Sequence, residues 1–430
     1  MGVKLLCTGD VHLGRRPSRL PEHLDAVATS AAAVWEAIVD QAIERAVDAV
    51  VLTGDVVDQD NRFFEAYSAL ARGVRRLVQA HITVYAVAGN HDFDVFVRLA
   101  EELPDFNLLG RGGVWQETEL KRDGKAVLRL VGWSFPSSHV STSPLAGACL
   151  PQRRMPTIGL LHCDCDVAPS RYAPVSRTEL AAAPVDAWLL GHIHEPQIIS
   201  ESGPMILYPG SPQGLHVNET GPHGPWLVEI EPGREPTAIH LPLAALRWEH
   251  LDVPLDDVSD PDAFDQTIAR ALKGLHEQIR DGFGLARAVG CRLRLTGRTG
   301  IYHALDGLIA QMQENLTESL SFDGVEYFLD TKVLNAARPD ISLADRAATG
   351  DPAGLLARRL AVLDNRQPPE EYRQLVRRAK RSIVSSEAMR GFASATGDTA
   401  EISDDEAAEM LMATGWAILD SLLAQEGRGR

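Results

Sequence analysis

The chain has 430 residues, more than one hydrophobic core usually organises, so we expect at least two domains. Hydrophobic residues make up 45% and charged residues 23%, as in ordinary globular proteins, and the formal net charge is -17. This acidic balance excludes a protein coated with basic residues for loose nucleic-acid binding, while a local basic groove stays compatible with it.

Neither the N-terminus nor the cysteines indicate secretion. The first residues, MGVKLLCTGD, are typical of a short strand and contain no apolar stretch long enough for a signal peptide or a membrane helix. The five cysteines are odd in number and unevenly spaced, which does not suggest a disulfide framework. Cys163 and Cys165 lack a second thiolate pair that would complete a zinc site. We expect a cytoplasmic protein with no membrane association.

Short apolar runs alternate with helical patterns over the first half of the chain. After the first run, residues 23–47 carry apolar side chains at helical spacing and predict a long helix. This alternation is typical of an α/β layered domain, which we assign to residues 1–245. The runs that predict buried strands are VKLLCT, DAVVLT, HITVYAVA, TIGLLH and DAWLLGH.

A stretch rich in proline and acidic residues, roughly residues 231–255, predicts a domain boundary. The segment after it has a helical pattern at 261–282, a strand pattern at 291–297 and a second helical pattern at 303–316. We interpret residues 246–345 as a small α+β capping domain.

The remaining residues, 346–430, predict a helical C-terminal region. Its last helix has a start signal, Ser403 with Glu406 three residues on, as a capping box requires. An apolar face follows, which either packs back on its own protein or receives a partner. That face consists of Met412, Trp416, Leu419 and Leu423.

Polar residues follow nearly every predicted strand directly. Because the carboxyl ends of strands in α/β sheets lie at one edge, these residues are expected to converge on one site. Carboxylate, imidazole and amide oxygen ligate divalent ions such as Mn, Fe, Zn or Mg. The residues are Asp10, His12, Asp55, Asn90, His91, His162, His192 and His194.

The number of candidate ligands predicts two ions. Seven of these residues can ligate metal when His91 is set aside, and two ions bridged by one carboxylate, for which Asp55 is the natural choice, would use all seven. Such a pair hydrolyses phosphoesters. His91 would protonate the leaving oxygen or hydrogen-bond the phosphate, with Asp92 orienting it.

The motifs in this order resemble the calcineurin-like metallophosphoesterase superfamily, whose pattern is D-x-H, GD-x-x-D, GNH-D/E, H and GH-x-H. The corresponding blocks here are DVH at 10–12, GDVVD at 54–58, GNHD at 89–92, His162, and GHIH at 191–194. Within the superfamily, the stretches GDVHLG, YPGSPQG and 216–231 resemble the SbcD-type DNA repair exonucleases.

The resemblance implies specific roles. One metal, Mn as the family's usual ion with Mg, Fe or Zn as alternatives, would be held by Asp10, His12, Asp55 and His194. The other would be held by Asp55, Asn90, His162 and His192, with His91 acting at the leaving group. It further implies a homodimer and an SMC-like ATPase partner of the SbcC type. For docking of that partner, the candidates are the terminal apolar face and segment 355–392.

The sequence therefore predicts a Mn-dependent DNA exonuclease, with possible single-strand endonuclease activity, that processes DNA ends as the nuclease subunit of an SbcCD-like complex. Two alternatives stay open: a phosphodiesterase acting on a nucleotide or other small phosphoester, and a non-cutting scaffold that binds DNA ends or an ATPase. Arg15, Arg16 and Arg298 are candidates for DNA contacts, whereas Arg292 and Arg294 fit a half-exposed strand.

Overall fold

The computed structural model of the chain describes residues 2–18, 20–58, 63–103, 106–150, 155–167, 169–256, 258–315, 320–384 and 403–428. The chain divides into two compact units. The first contains residues Met1–His250, Leu275–Arg292 and Ser319–Asp330, and the second contains Leu251–Gly274, Leu293–Glu318 and Thr331–Arg430.

The regular elements are numbered in chain order. The strands are β1 (Val3–Thr8), β2 (Ala49–Leu52), β3 (Thr83–Ala86), β4 (Phe106–Leu108), β5 (Gln116–Arg122), β6 (Lys125–Trp133), β7 (Thr157–His162), β8 (Ala187–Gly191), β9 (Gln197–Ser200), β10 (Met205–Tyr208), β11 (Trp226–Ile230), β12 (Thr237–His240), β13 (Leu246–Pro254), β14 (Ala288–Thr296), β15 (Arg298–Thr299), β16 (Leu320–Phe322), β17 (Val325–Leu329), β18 (Leu334–Asn335) and β19 (Arg338–Pro339). The helices are α1 (Ala31–Glu44), α2 (Phe63–Gln79), α3 (Val95–Glu102), α4 (Arg177–Ala182), α5 (Phe264–Ile279), α6 (Leu305–Asn315), α7 (Leu343–Ala347), α8 (Pro352–Asn365), α9 (Pro369–Val384) and α10 (Asp404–Arg428).

Two six-stranded sheets form the centre of the first unit. Their strand orders are β12-β11-β1-β2-β3-β4 and β5-β6-β7-β8-β10-β9. The strands β1, β2, β3 and β4 run parallel, as do β6, β7, β8 and β10. The carboxyl ends of the strands that precede the candidate site residues therefore lie at one edge of each sheet.

Alternation of side chains along the strands builds the layers. On β1, Leu6 belongs to the core shared with α1 and α2, whereas Leu5 belongs to the core between the two sheets. On β8, Leu189 faces the core between the sheets, whereas Trp188 packs with Leu180 of α4. The predicted fold class, layered α/β sheets with a helical C-terminal region, is confirmed.

The predicted long helix over residues 23–47 begins later than its pattern indicates. Helix α1 starts at Ala31, because the hydroxyl of Ser30 accepts a hydrogen bond from the backbone N–H of Ala33 and caps the helix. Residues ahead of this cap form turns, in which Asp25 accepts hydrogen bonds from backbone N–H groups. Local capping chemistry thus outweighs the apolar spacing there.

Residues of the predicted capping segment occur in both units. In the first unit, residues 288–291 of β14 pair in parallel with β17, and Trp248 and Phe328 belong to one core. In the second unit, Arg294 and Leu295 pair with β18, and β15 pairs with β19. The domain boundaries at 245 and 345 stay predictions.

The helical part of the second unit has its own core, which includes the apolar face of the terminal helix. Trp416 and Leu419 of α10 are buried with Leu360 and Leu363 of α8, while Met412 and Leu423 pack at the margin. The helix starts with the predicted capping box, in which Ser403 and Glu406 exchange hydrogen bonds. This face therefore packs on its own chain.

The other candidate docking segment, 355–392, comprises most of α8 and all of α9, and residues 385–392 lie outside the described part of the chain. Helix α9 presents exposed arginines, including Arg373 and Arg377, which pair with Glu370. Among the described helices, none is long and apolar enough to cross a membrane.

Candidate metal centre

The structure brings the predicted ligands together at the carboxyl ends of five strands. Asp10 follows β1, Asp55 follows β2, and Asn90 follows β3, while His162 is the last residue of β7. His192 and His194 follow β8. Backbone hydrogen bonds join the first two loops, with the N–H of Asp10 donating to Gly54 at 2.9 Å and that of His12 to Asp55 at 3.0 Å.

Asp10, His12 and His194 form the first ligand group, with one potential ligand atom from each lying within 4.8 Å of the others. Nε2 of His12 lies 3.3 Å from Nε2 of His194. Both oxygens of the Asp10 carboxylate accept the backbone N–H of His192 at 3.1 Å, which connects this group to the loop after β8. Asp10 and His12 are buried.

Asp55, His162 and His192 form the second ligand group, again within 4.8 Å. Nε2 of His162 lies 3.3 Å from Oδ2 of Asp55 and 3.1 Å from Oδ1 of Asn90. The amide oxygen of Asn90 thus points at the same place as these ligands. The assignment of an ion to each group stays a prediction.

The donor atoms fit divalent cations. Two nitrogen ligands of one ion, each about 2.1 Å from it, lie roughly 3.0 to 3.4 Å apart. The two Nε2 atoms of His12 and His194 have that spacing, 3.3 Å, and two imidazole nitrogens gain little from facing each other unless one is protonated or a cation lies between them. Carboxylate and imidazole donors without thiolates suit Mn, Fe, Zn or Mg.

The charges of the site are strongly coupled. Burial raises the pKa of Asp10 to about 6, and burial lowers the pKa of His12 to about 3. Burial also opposes ionisation of Asp55 and His162, but their mutual attraction outweighs it, lowering the pKa of Asp55 and raising that of His162 to about 9. A buried carboxylate beside His12, whose imidazole resists protonation, is an environment that a cation would stabilise.

Backbone strain is concentrated at the site. Asp10, His12 and Asp55 have φ angles of 49°, 48° and 50°, and His192 has 99°, all in the left-handed region that side chains other than glycine rarely adopt. These conformations turn each loop sharply after its strand. The backbone of residue 89 lies so close to Asp55 that only glycine fits there, because a Cβ would lie 2.2 Å from Oδ1 of Asp55.

His91 lies beside the first ligand group. Its ring is half-buried, with its centroid 5.3 Å from that of His12, and its backbone N–H donates to Oδ1 of Asp55 at 2.8 Å. Asp92, expected to orient it, has other contacts. Its buried carboxylate accepts the backbone N–H groups of Gly89 and Val56, at 2.8 and 2.7 Å. The carboxylate of Asp92 therefore links the loop after β3, through Gly89, to the loop after β2, through Val56.

Several functional contacts have no signal in the sequence pattern. The carbonyl of Thr53 lies 3.0 Å from Nδ1 of His162, and Oδ1 of Asp164 lies 3.2 Å from Nε2 of His192. Oε1 of Glu219 lies 3.0 Å from Nδ1 of His194. These oxygen atoms lie behind the imidazoles, as outer partners of metal ligands do.

A cleft of about 730 Å³ opens beside His192. Tyr172 lines it, and the Tyr172 ring lies against the His192 ring with centroids 4.6 Å apart. Asp164, Ser170 and Arg171 also line the cleft, so it combines hydrogen-bonding groups, a cation and an aromatic face.

The predicted DNA-contacting arginines have different environments. Arg15 forms an ion pair with the buried carboxylate of Asp58, 3.8 Å from Nδ1 of His12, whereas Arg16 is exposed. Arg298 lies in the second unit, where it donates to the carbonyl of Ile341. The two strand arginines pair with acids, Arg292 with Asp330 and Arg294 with Asp252.

Comparison with known families agrees with this geometry. Residues 3–196 match the calcineurin-like phosphoesterase family. The chain carries a calcineurin-like phosphoesterase domain. It is a metal-dependent phosphoester hydrolase, as predicted from its motifs. Residues 248–325 match a second family, the middle domain of metallophosphoesterase YhaO.

Relatives of this phosphoesterase include metallophosphoesterase YhaO of Bacillus subtilis, 28% identical over 64% of this chain and 65% of that protein. The DNA double-strand break repair protein Mre11 of Aeropyrum pernix is 26% identical over 64% of this chain and 69% of its own length. The chain thus spans about two thirds of the length of these two relatives. Among solved structures, a dimetal phosphatase from Danio rerio aligns over 55% of this chain and 98% of its own, with 16% identity and a TM-score of 0.34.

Proposed function

We propose that this phosphoesterase is a Mn-dependent DNA exonuclease, with single-strand endonuclease activity as a related capacity, that processes DNA ends. The two ligand groups at one sheet edge, with His91 beside them, carry the proposal. Similarity to a protein named for DNA double-strand break repair supports DNA as the substrate.

The chain's own residues would divide the work. The groups Asp10, His12, His194 and Asp55, His162, His192, with Asn90, would hold two ions, Asp55 being shared. When bound, such ions activate water and neutralise charge on the phosphate. The His91 imidazole, half-buried beside His12, would donate a proton to the leaving oxygen of the scissile phosphodiester.

Substrate contacts would come from groups around the ligands. Arg15 is held at the site by Asp58 and offers its exposed side to a phosphate. The cleft beside His192 provides Arg171 and the ring of Tyr172, a combination suited to a phosphate and a base. These local groups would compensate the overall charge of -17.

We also propose that the nuclease works as a homodimer with an SMC-like ATPase, in the manner of the SbcD-type nucleases. The apolar face of α10 is used within the second unit, so it is not the docking surface we propose. Helix α9, with its exposed arginines, is the better candidate within the described part of segment 355–392.

The test is degradation of end-labelled linear duplex DNA with Mn²⁺, using closed circular duplex and a chromogenic small phosphodiester as parallel substrates. Of the two DNA substrates, we expect only the linear duplex to be degraded and to lose its label. His91→Ala should lower kcat about 10²- to 10⁴-fold, because the general acid is lost. His81→Ala is the matched control, since His81 is an exposed residue before β3, at the opposite end of that strand.

The outcomes separate the alternatives. Hydrolysis of the small phosphodiester with intact DNA would contradict the nuclease and favour a phosphodiesterase of small substrates, which the acidic charge also suits. Binding of DNA ends without cleavage of any substrate, and without effect of His91→Ala, would favour the non-cutting scaffold.

A further inference from the structure

We propose that Glu219 is a positioning residue that orients His194 as a metal ligand, an inference that rests on the metal-dependent function proposed above. Glu219 lies outside the five blocks that contain the predicted metal ligands but within the stretch 216–231, in the loop between β10 and β11. Its Oε1 lies 3.0 Å from Nδ1 of His194, and its side chain is 18% exposed.

The contact fixes which ring nitrogen of His194 carries a proton. A carboxylate only accepts hydrogen bonds, so Nδ1 of His194 donates to Glu219. In the neutral ring, Nε2 then keeps its lone pair and faces Nε2 of His12 at 3.3 Å. A negative charge behind the ring also makes Nε2 a stronger donor to a cation.

Glu219 is itself held in place before any metal binds. Its second oxygen, Oε2, accepts the backbone N–H of Leu215 at 2.8 Å and the hydroxyl of Ser211 at 3.4 Å. Its backbone carbonyl lies 3.2 Å from Nε2 of His223. Both oxygens and the backbone are therefore constrained, so the carboxylate does not need to be ordered when an ion enters.

The loop that carries Glu219 is tied to the neighbouring strands of the first unit. Oδ1 of Asn218 accepts a hydrogen bond from Arg292 on β14 at 2.9 Å. Arg292 is fixed in turn by Asp330, with which it pairs at 2.7 Å. This chain of contacts anchors the loop at its centre.

Glu219 is important for the first ligand group because the other histidine of that group, His12, has no comparable hydrogen bond at its Nδ1 among the described residues. Nδ1 of His12 has no hydrogen-bond partner among the described residues, and the carboxylate of Asp58 lies 3.8 Å from it. Within the described part of the chain, Glu219 is therefore the one outer acceptor of a hydrogen bond from an imidazole of the first ligand group. We expect the affinity of that group for its ion to depend on Glu219.

The experiment titrates metal-free full-length protein with Mn²⁺ and measures the number and affinity of bound ions by calorimetry. The variants are Glu219→Gln, which keeps the size and removes the charge, and Glu219→Ala. Asp164→Asn makes the equivalent change behind His192 in the second group. Glu229→Gln on β11, where Glu229 pairs with Lys4, is the matched control.

We expect wild type to bind two ions. Glu219→Ala should weaken one of them about 10- to 100-fold, Glu219→Gln should weaken the same ion less, and Asp164→Asn should weaken the other. In a His194→Ala background, Glu219→Ala should add nothing, because the residue it positions is gone. Melting of the metal-free Glu219→Gln variant, which keeps a side-chain oxygen as acceptor, should match wild type, and Glu229→Gln should bind normally.

Two results would overturn the inference alone. Unchanged isotherms in both Glu219 variants would remove the positioning role. Equal weakening of both ions together with earlier melting of the metal-free protein would mean that Glu219 only stabilises the fold. If wild type binds no Mn²⁺, the proposed function fails and this inference fails with it.

Discussion

The two ligand groups take one histidine each from the same loop, yet they are supported differently. In the second group both imidazoles have an outer partner: the carbonyl of Thr53 accepts a hydrogen bond from His162, and the carboxylate of Asp164 lies 3.2 Å from Nε2 of His192 as a charge partner. In the first group His194 donates the outer hydrogen bond to the carboxylate of Glu219. The second group is also the more enclosed, since the side chain of His162 is 0% exposed and that of His194 is 32% exposed.

The difference teaches where each group is vulnerable. A backbone carbonyl is placed by the sheet itself, so no substitution of Thr53 deletes it, whereas a carboxylate can be removed by one mutation. The second group therefore responds to changes that move the backbone at Thr53 as well as to loss of the Asp164 carboxylate, whereas the first group responds to loss of the Glu219 carboxylate. Asp55 is proposed as a ligand of both ions, so a change of its side chain should affect both groups.

The largest effect is expected for Asp55→Asn, which keeps the volume and an acceptor for the His91 N–H but removes the charge. If Asp55 bridges the groups, both ions should bind more weakly. Hydrolysis should fall by more than about 100-fold, beyond the usual loss for an outer partner. Equilibrium dialysis against Mn²⁺ and hydrolysis of a chromogenic phosphodiester measure the two quantities.

The control is Asp10→Asn, which removes the charge of a carboxylate in the first group and keeps an oxygen that accepts the His192 N–H. Weakening of a single ion by Asp55→Asn, as by Asp10→Asn, would contradict the shared role and leave two independent sites. Circular dichroism of both variants separates these effects from loss of the fold.

A smaller effect, directed at the second group, is expected for Gly191→Ala. A Cβ on Gly191 would lie 2.0 Å from the Thr53 carbonyl oxygen and 2.6 Å from Nδ1 of His162, the two atoms of one hydrogen bond. We expect about 1 to 3 kcal/mol of destabilisation from overpacking. The affinity of one ion should fall about 10- to 100-fold, as for loss of an outer partner.

Urea unfolding of the metal-free protein measures the first quantity, and Mn²⁺ titration measures the second. Gly274→Ala on α5 is the matched control, because a Cβ there meets nothing within 4 Å. Normal Mn²⁺ binding by Gly191→Ala would mean that the Thr53 carbonyl has no part in holding His162.

The convergence of the ligands could be predicted from sequence because each lies next to a recognisable apolar strand. Asp10 and Asp55 follow neighbouring parallel strands of one sheet and His192 follows a parallel strand of the other, and the packing of the two sheets brings these ends together. The terminal helix start was equally readable, since Ser403 and Glu406 form a local motif. Both signals consist of residues that lie close together in the sequence at a fixed spacing.

The outer partners could not be predicted in this way. Glu219 is 25 residues from His194, and Thr53 is 109 residues from His162 and contributes only its backbone. No spacing rule connects such pairs, because they depend on how two loops meet in the folded sheet edge. The same limit explains Asp92, whose position beside His91 gave no information about the direction of its side chain.

The smallest effect is expected for Arg15→Ala, on the first group's side of the site. Asp58 holds Arg15 there, and the 39% exposure of the Arg15 side chain leaves it open to a phosphate. In a His91→Ala background, which slows cleavage, fluorescence anisotropy of labelled duplex against salt should show affinity falling similarly for all sequences. The salt slope should decrease by about 1, as for loss of a single phosphate contact.

Arg234→Ala is the control, because Arg234 follows β11, whose Ile230 pairs with Val3 at the opposite end of β1 from Asp10. An unchanged slope for Arg15→Ala would mean that the ion pair between Arg15 and Asp58 only stabilises the loop. The DNA path would then have to pass on the Tyr172 side of the second group.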